Sequence, residues 1–426
     1  MSLRVAPAGL STLTLVAVAL VAAVVSGRAE LFLVCVPLVL RALGAARRRE
    51  PPRYALHHEL SAARLFEGER VTVSVALTAE TPLAQVEALE PLPSSAELLS
   101  GRARTVLSLR AGETARWSYE LRFPGRGRFT LGTVHLRFWE PSGLEAREAV
   151  HRDPKSLHVY PRAEALGRRL PAPIRTQASV GNYVSPIVGD GIEPGEIRPF
   201  SSGDSVRHVN WRASLRTGRL FATRHQQERN ADIVLMVDTL SQVGAGSATT
   251  LDASLRACAS LAAAYLARKD RVGLIEYGGV LHWVKPGSGR PHFERLLATL
   301  VQAEVTFTYV AKDLALVPPR ILPPQALVIA LSPLLDARFT TALGDLTGRG
   351  FDLILLAVDP VPVARAALAP SLAVDTACRL WALERRIQIA ELSARGLRVV
   401  EWAPDEPLEL ALARIGRRRR PRALAG

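Results

Sequence analysis

The 426 residues, 48% of them hydrophobic, suffice for two or three domains with cores of their own and exclude wholesale disorder. A formal net charge of +14 would suit nucleic acid or an anionic membrane, but no nucleic-acid motif accompanies it, and only four basic residues are lysines (Lys155, Lys269, Lys285, Lys312), so an arginine-favouring composition explains much of the excess. The three cysteines, Cys35, Cys258 and Cys378, are odd in number and far apart, which argues against a disulfide framework or a zinc site and for a reducing compartment.

From Val5 to Gly27 there is no charged residue, and residues 10–25 are almost wholly apolar, close to the roughly 20 residues that span a bilayer. A second apolar run, residues 31–46, is interrupted only by Arg41. Together they predict a transmembrane hairpin over residues 1–50. A signal peptide cleaved near Ala29 is the competing reading, against which the second run speaks. Arg4 on one flank and Arg41, Arg47, Arg48 and Arg49 on the other, against Arg28 in the turn, predict a two-pass inner (plasma) membrane protein with the bulk of the chain cytoplasmic.

Between residues 51 and 160 the apolar period is two. In residues 71–77 larger apolar side chains alternate with small or polar ones, and Ala115, Trp117, Tyr119, Leu121 and Phe123 alternate with Arg116, Ser118, Glu120 and Arg122. Pro91, Pro93, Gly112, Gly125 and Gly127 supply turns, so an antiparallel β-sandwich of the immunoglobulin-like kind is expected. His57 and His58 fall in what reads as a polar linker, where a bare surface pair is the plain interpretation.

Residues 161–229 are polar and rich in Gly and Pro, with no clean period, and read as a linker packing on the next domain. From 230 to 416 strands and helices alternate. Strands are expected at 231–237, 272–275, 326–331, 353–358 and 397–402, and helices near 251–265, 293–301, 339–346 and 383–392, with Cys378 in a late loop. That alternation predicts a doubly wound α/β sheet whose ligand edge lies past the carboxyl ends of its strands. The last ten residues, 417–426, form a basic tail suited to anionic lipid.

The run from Arg198 to Arg216, containing Gly203-Asp204, Arg207, Trp211-Arg212 and Ser214-Leu215-Arg216, resembles the signature of the bacterial family called domain of unknown function 58, with Phe200 where Tyr is usual. Gly218, Leu220 and Glu228 fit its continuation. Upstream, residues 125–132 and Pro141-Ser142-Gly143-Leu144 resemble the family's second landmark, with Glu140 where Asp is usual. The resemblance implies a von Willebrand factor type A-like domain and a MoxR-type AAA+ ATPase as partner, without implying a known reaction.

Type A domains commonly hold Mg²⁺ on Asp-x-Ser-x-Ser, whereas this chain reads Asp238-Thr239-Leu240-Ser241-Gln242. Leu240 and Gln242 remove two oxygen ligands, leaving a degenerate site around Asp238 and Ser241, with Ser332 and Asp336 where a later acidic ligand often stands. The signature segment has two readings. In one it is a brace with Trp211 buried as an anchor; in the other Asp204, Arg207, Trp211, Arg212 and Arg216 form a partner-docking surface.

Gly189-Asp190-Gly191 with Gly195 has the wrong spacing for a dinucleotide fingerprint, and no phosphate loop, nucleophile elbow or His-Glu-x-x-His occurs. No catalytic residues are assigned. The expected protein is therefore not an enzyme but a membrane-anchored binding and assembly adaptor, partnered by a MoxR-type ATPase and by lipid at the hairpin and basic tail, and maturing envelope-associated complexes. The alternative is a metal-dependent adhesion module for acidic peptides.

Overall fold

The computed structural model describes residues 2–5, 7–27, 36–37, 51–139, 145–167, 170–171, 177–201, 206, 209–308, 312–314 and 317–415. They divide into two compact units, Met1–Val159 and Tyr160–Gly426.

The first unit is built on strand periodicity. Its strands are β1 (Ser2–Val5), β2 (Tyr54–Leu60), β3 (Arg64–Phe66), β4 (Arg70–Ala79), β5 (Leu83–Leu89), β6 (Glu97–Gly101), β7 (Arg104–Leu109), β8 (Thr114–Arg122), β9 (Gly127–Trp139) and β10 (Glu145–Tyr160), with helix α1 (Pro7–Ser26) between β1 and β2. One sheet runs β1-β10-β9-β5-β7, with β3 also on β10, and the other runs β2-β4-β8-β6. Because side chains alternate between faces, Val71, Val73, Val75 and Leu77 of β4 enter one core with Val134, Leu136 and Phe138 of β9.

The expected membrane hairpin is overturned. Among the described residues no helix is long and apolar enough to cross a membrane. The first half of α1 carries Gly9, Ser11, Thr12 and Thr14, which lower its apolar character. Of the second run only Val36 and Pro37 are described. Arg4 is no membrane flank either, since it lies within β1 and is paired in register with Ala146 of β10. The two-pass inner-membrane assignment needed both spans and falls with the first. The basic tail, residues 417–426, lies outside the described residues.

The second unit contains a ribbon of β11 (Gln177–Pro199) and β12 (Phe221–Asn230), with α2 (Trp211–Thr217) between them, in the stretch expected to be a linker. Repeated register shifts in the ribbon explain why no steady period marks it in the sequence. There follow β13 (Asp232–Thr239), the two-residue strands β14 (Gly244–Ala245) and β15 (Ala248–Thr249), α3 (Thr250–Ala267), β16 (Arg271–Gly278), β17 (His282–Gly287) and α4 (Arg290–Leu300). The chain continues with β18 (Leu327–Ser332), α5 (Ala337–Gly348), β19 (Asp352–Val358), α6 (Val361–Ala366), α7 (Leu372–Ala394), β20 (Arg398–Trp402) and α8 (Leu408–Ile415). The sheet order is β17-β16-β13-β18-β19-β20, with every neighbouring pair parallel except the antiparallel edge strand β17.

Every residue of β13 is buried, as a strand covered on both faces requires. Val234 and Met236 share a core with Phe339 and Leu343 of α5 and Leu392 of α7. Ile233, Leu235 and Val237 point to the opposite face, and α3 packs on this strand. Cys378 is buried on α7 and not in a loop.

Candidate functional site

The parallel strands β13 and β18 end side by side, with Val237 opposite Leu331, which brings Asp238 next to Ser332 at the carboxyl edge of the sheet. Asp238 is fully buried; its Oδ2 accepts from Ser332 Oγ at 2.5 Å and its Oδ1 from the Leu240 N–H at 2.9 Å. Burial pushes this carboxyl up to about 7, against the opposing pull of the two hydrogen bonds. Asp336 caps α5 and holds Arg338 through both carboxylate oxygens, at 2.9 Å to Nε and 2.6 Å to Nη2, while Arg338 Nη1 donates to the Thr308 carbonyl at 2.5 Å. The guanidinium holds Asp336 below the usual carboxylate range, and its charge also reaches Asp238.

The arrangement is suited to holding loops together more than to gripping a cation. Leu240, where an oxygen ligand would stand, packs into the hydrophobic core with Leu314 and Val317. Ser241 Oγ is buried without a hydrogen-bond partner. Each Asp238 oxygen already accepts from a neutral donor, and the nearby positive charge is the chain's own Arg338. Among the described residues no group of three or more His, Cys, Asp or Glu side chains could hold a metal ion.

Arg385 of α7 spans the same edge further along. It is buried, with Nη1 donating to the Pro333 carbonyl at 2.6 Å and Nη2 to the Val358 carbonyl at 2.7 Å. Its Nε lies 3.7 Å from Asp359 and 3.5 Å from Glu401. One side chain thus ties together the ends of β18, β19 and β20. The sequence reading missed it, because nothing in a lone arginine on a helix announces which carbonyls it will meet.

Asp204 and Arg207 of the proposed docking surface lie outside the described residues. Trp211, Arg212 and Arg216 lie on α2, a short helix fixed at both ends. The Asn210 side chain accepts from the Ala213 N–H at 3.0 Å, and Gly218 closes the helix in the left-handed conformation with its N–H on the Ser214 carbonyl. Ser214 Oγ donates to the Asn210 carbonyl and accepts from the Phe221 N–H, tying α2 to the start of β12. On this platform Trp211 is 60% and Leu215 84% exposed. Trp211 is therefore not a buried anchor, and Leu215, four residues on and on the same helix face, extends its apolar surface. Arg212 and Arg216 are exposed beside them.

One polar cluster in the first unit went unread. His57 and His58 lie on β2, where alternation puts His57 outside and His58 in the core, 2% exposed. His58 Nε2 is 3.1 Å from Glu90 Oε2, which also accepts from the Tyr119 hydroxyl at 2.5 Å, while Oε1 accepts from the Gly132 N–H at 2.6 Å. Burial raises the Glu90 carboxyl, but these donors outweigh it and hold it below its ordinary value; burial and the adjacent carboxylate push the Tyr119 phenol upward. An ionised carboxylate only accepts, so His58 Nε2 carries a proton. Gly132 has a positive φ of 91°, and a Cβ there would strike the Asp153 carbonyl oxygen, so this N–H reaches Glu90 only from a glycine.

The family match falls on the second unit. Residues 196–362 match the model of the family described as protein of unknown function DUF58. Uncharacterized protein Rv1480 of Mycobacterium tuberculosis and uncharacterized protein Mb1516 of Mycobacterium bovis are each 30% identical over 138 residues, covering 32% of this chain and 44% of theirs. The chain therefore matches less than half the length of these relatives. Among solved structures, the cupredoxin domain of amoB from Nitrosocaldus yellowstonii aligns at 12% identity with a TM-score of 0.20, over 25% of this chain and 86% of that one. A FixG-related protein from Vibrio parahaemolyticus aligns at 10% identity with a TM-score of 0.18, over 26% and 98%. Similarity this low carries no argument about either fold or function. The stretch that matches the DUF58 family model, residues 196–362, includes Trp211, Arg212, Arg216, Asp238, Ser332 and Asp336.

Proposed function

We propose that this chain is a non-enzymatic binding and assembly adaptor that works with a MoxR-type AAA+ ATPase in the maturation of envelope-associated complexes, docking its partner through the segment around α2. The observation that carries this reading is the pairing of Trp211 and Leu215, both exposed, beside exposed Arg212 and Arg216 on a helix locked at both ends. Aromatic and arginine side chains dominate interface hot spots, and a rigid platform lowers the entropy cost of binding. The basic rim favours a partner surface bearing carboxylates among apolar residues. Asp204 and Arg207 belong to the same segment in sequence. The choice of ATPase rests on the family resemblance, and the parallel sheet with its antiparallel edge strand is compatible with the type A-like domain that the resemblance implies. The adhesion-module alternative has less support, because the Asp238 oxygens are already occupied by Ser332 and Leu240.

The test uses the full chain and a MoxR-type ATPase from the same genome. Arg212→Ala should change stability by no more than about 0.5 kcal/mol, the usual range for an exposed position. It should weaken ATPase binding about thirtyfold, the loss expected for an interface hot spot. Trp211→Ala should behave likewise, since its ring is largely outside the core. If both variants melt normally and bind the ATPase as the parent does, α2 is not the docking site.

A further inference from the structure

We infer that α7 carries a second interface, which receives another copy of this chain as a parallel two-helix coiled coil. α7 is long, running from Leu372 to Ala394, and its burial repeats every seven residues. Cys378, Arg385 and Leu392 are the buried positions of the helix. They form one stripe that faces the domain. On the opposite side lie Ala373, Thr376, Leu380, Leu383, Ile387 and Ala390, spaced alternately by three and four residues, and all six are exposed. Leu380 is 57%, Leu383 48% and Ile387 61% exposed. A globular domain does not need this second stripe, because its own core is satisfied by the first. A spacing of three and four is the geometry by which one helix meets another, with knobs from each seam entering holes on its partner.

Charge complementarity identifies the occupant. With Leu380 and Ile387 as a positions and Leu383 as d, the residues flanking the seam at g are Arg379 and Arg386, and those at e are Glu384 and Glu391. One flank is thus cationic at both heptads and the other anionic at both. None of the four makes an ion pair among the described residues. In a parallel pair, g of one helix faces e of the next heptad on its partner, so Arg379 meets Glu384 and Arg386 meets Glu391, twice by symmetry. In an antiparallel pair g faces g and e faces e, setting arginine against arginine and glutamate against glutamate. The pattern therefore complements itself in one orientation, and the partner it fits is a second copy. Ile387 at a with Leu383 at d favours two strands.

The experiment is sedimentation equilibrium of the full chain across the micromolar range, together with variants at positions exposed in the monomer, whose circular dichroism should match the parent. The parent should dimerise reversibly. Leu383→Asp should weaken the dimer about thirtyfold or more, as loss of a central interface residue does. R379E/R386E and E384R/E391R should each weaken it roughly tenfold, the summed effect of several exposed pairs turned repulsive. The chain carrying all four exchanges should dimerise as the parent does. Under mild oxidation Thr376→Cys alone and Ala390→Cys alone should each give a covalent dimer that the parent does not form. A chain that remains monomeric, or a Leu383→Asp variant that dimerises unchanged, overturns the interface. Cross-linking only when the two cysteine variants are mixed overturns the parallel arrangement.

Discussion

Asp238 works as a structural bolt, its two carboxyl oxygens taken up by Ser332 Oγ and the Leu240 N–H. Its carboxyl sits near the end of β13, and the side chain two positions on, Leu240, is drawn into the core. Held near 7, the folded carboxyl retains its proton where the unfolded chain's, near 3.8, has lost it. Between those values the folded state binds the extra proton, so this group's contribution makes stability fall as pH rises from about 4 to about 7, and the slope ends above that. Asp238→Asn removes the titration while keeping an acceptor for the Leu240 N–H. The variant should gain on the parent by as much as roughly 4 kcal/mol between pH 4 and pH 8, measured by denaturant unfolding. A difference between the two proteins that stays constant with pH would show that the carboxyl is not held in this way. Asp238, Ser332 and Asp336 were legible in the sequence because a strand followed by Asp is a recognisable landmark. Arg338 was not, since its role depends on Asp336 and the Thr308 carbonyl converging on it.

Helix α7 performs its structural work through Arg385. Carbonyls at the ends of parallel strands point away from the ladder and need donors, and this guanidinium supplies two of them while standing near Asp359 and Glu401. Arg385→Met keeps much of the volume but leaves the Pro333 and Val358 carbonyls without their donor. Urea unfolding should show a loss of about 2–4 kcal/mol, the cost of stranding buried acceptors. Arg385→Lys should recover only part of this, because one ammonium cannot reproduce the planar fork. A loss below about 1 kcal/mol for the methionine variant would mean that water or another donor takes over, and that the brace is dispensable. The sequence reading found this helix only from residue 383 to 392, because its first half shows two mixed faces where an amphipathic helix shows one apolar stripe.

At the scale of the whole molecule, two units with separate cores predict separable energetics. Glu90 belongs to the first unit and Arg385 to the second. Glu90→Gln sets an amide N–H₂ against one of the donors that the carboxylate now accepts from, and should cost about 1–3 kcal/mol. In the double variant E90Q/R385M the two losses should add within about 0.5 kcal/mol, as they do for sites that share no partners. A coupling energy above about 1 kcal/mol, read from calorimetry of the four proteins, would show that the units unfold as one network.

Some of this was fixed by local sequence alone. Alternation of period two specifies strands with one wet and one dry face, and short apolar runs separated by helical spacing specify a parallel sheet buried on both sides, because each pattern has one geometry that hides it from water. The long signature around Trp211 was likewise readable from the order of its residues. Tertiary structure decided the rest. Whether an apolar stretch becomes a membrane span depends on its unbroken length and on what its neighbours pair with, and here Arg4 pairs into a sheet. Whether Trp211 is buried depends on what α2 packs against, and whether His58 is a surface residue depends on Glu90 after β5, Tyr119 of β8 and Gly132 of β9 converging on it. These outcomes are set by contacts between residues far apart in the chain, which no local pattern encodes.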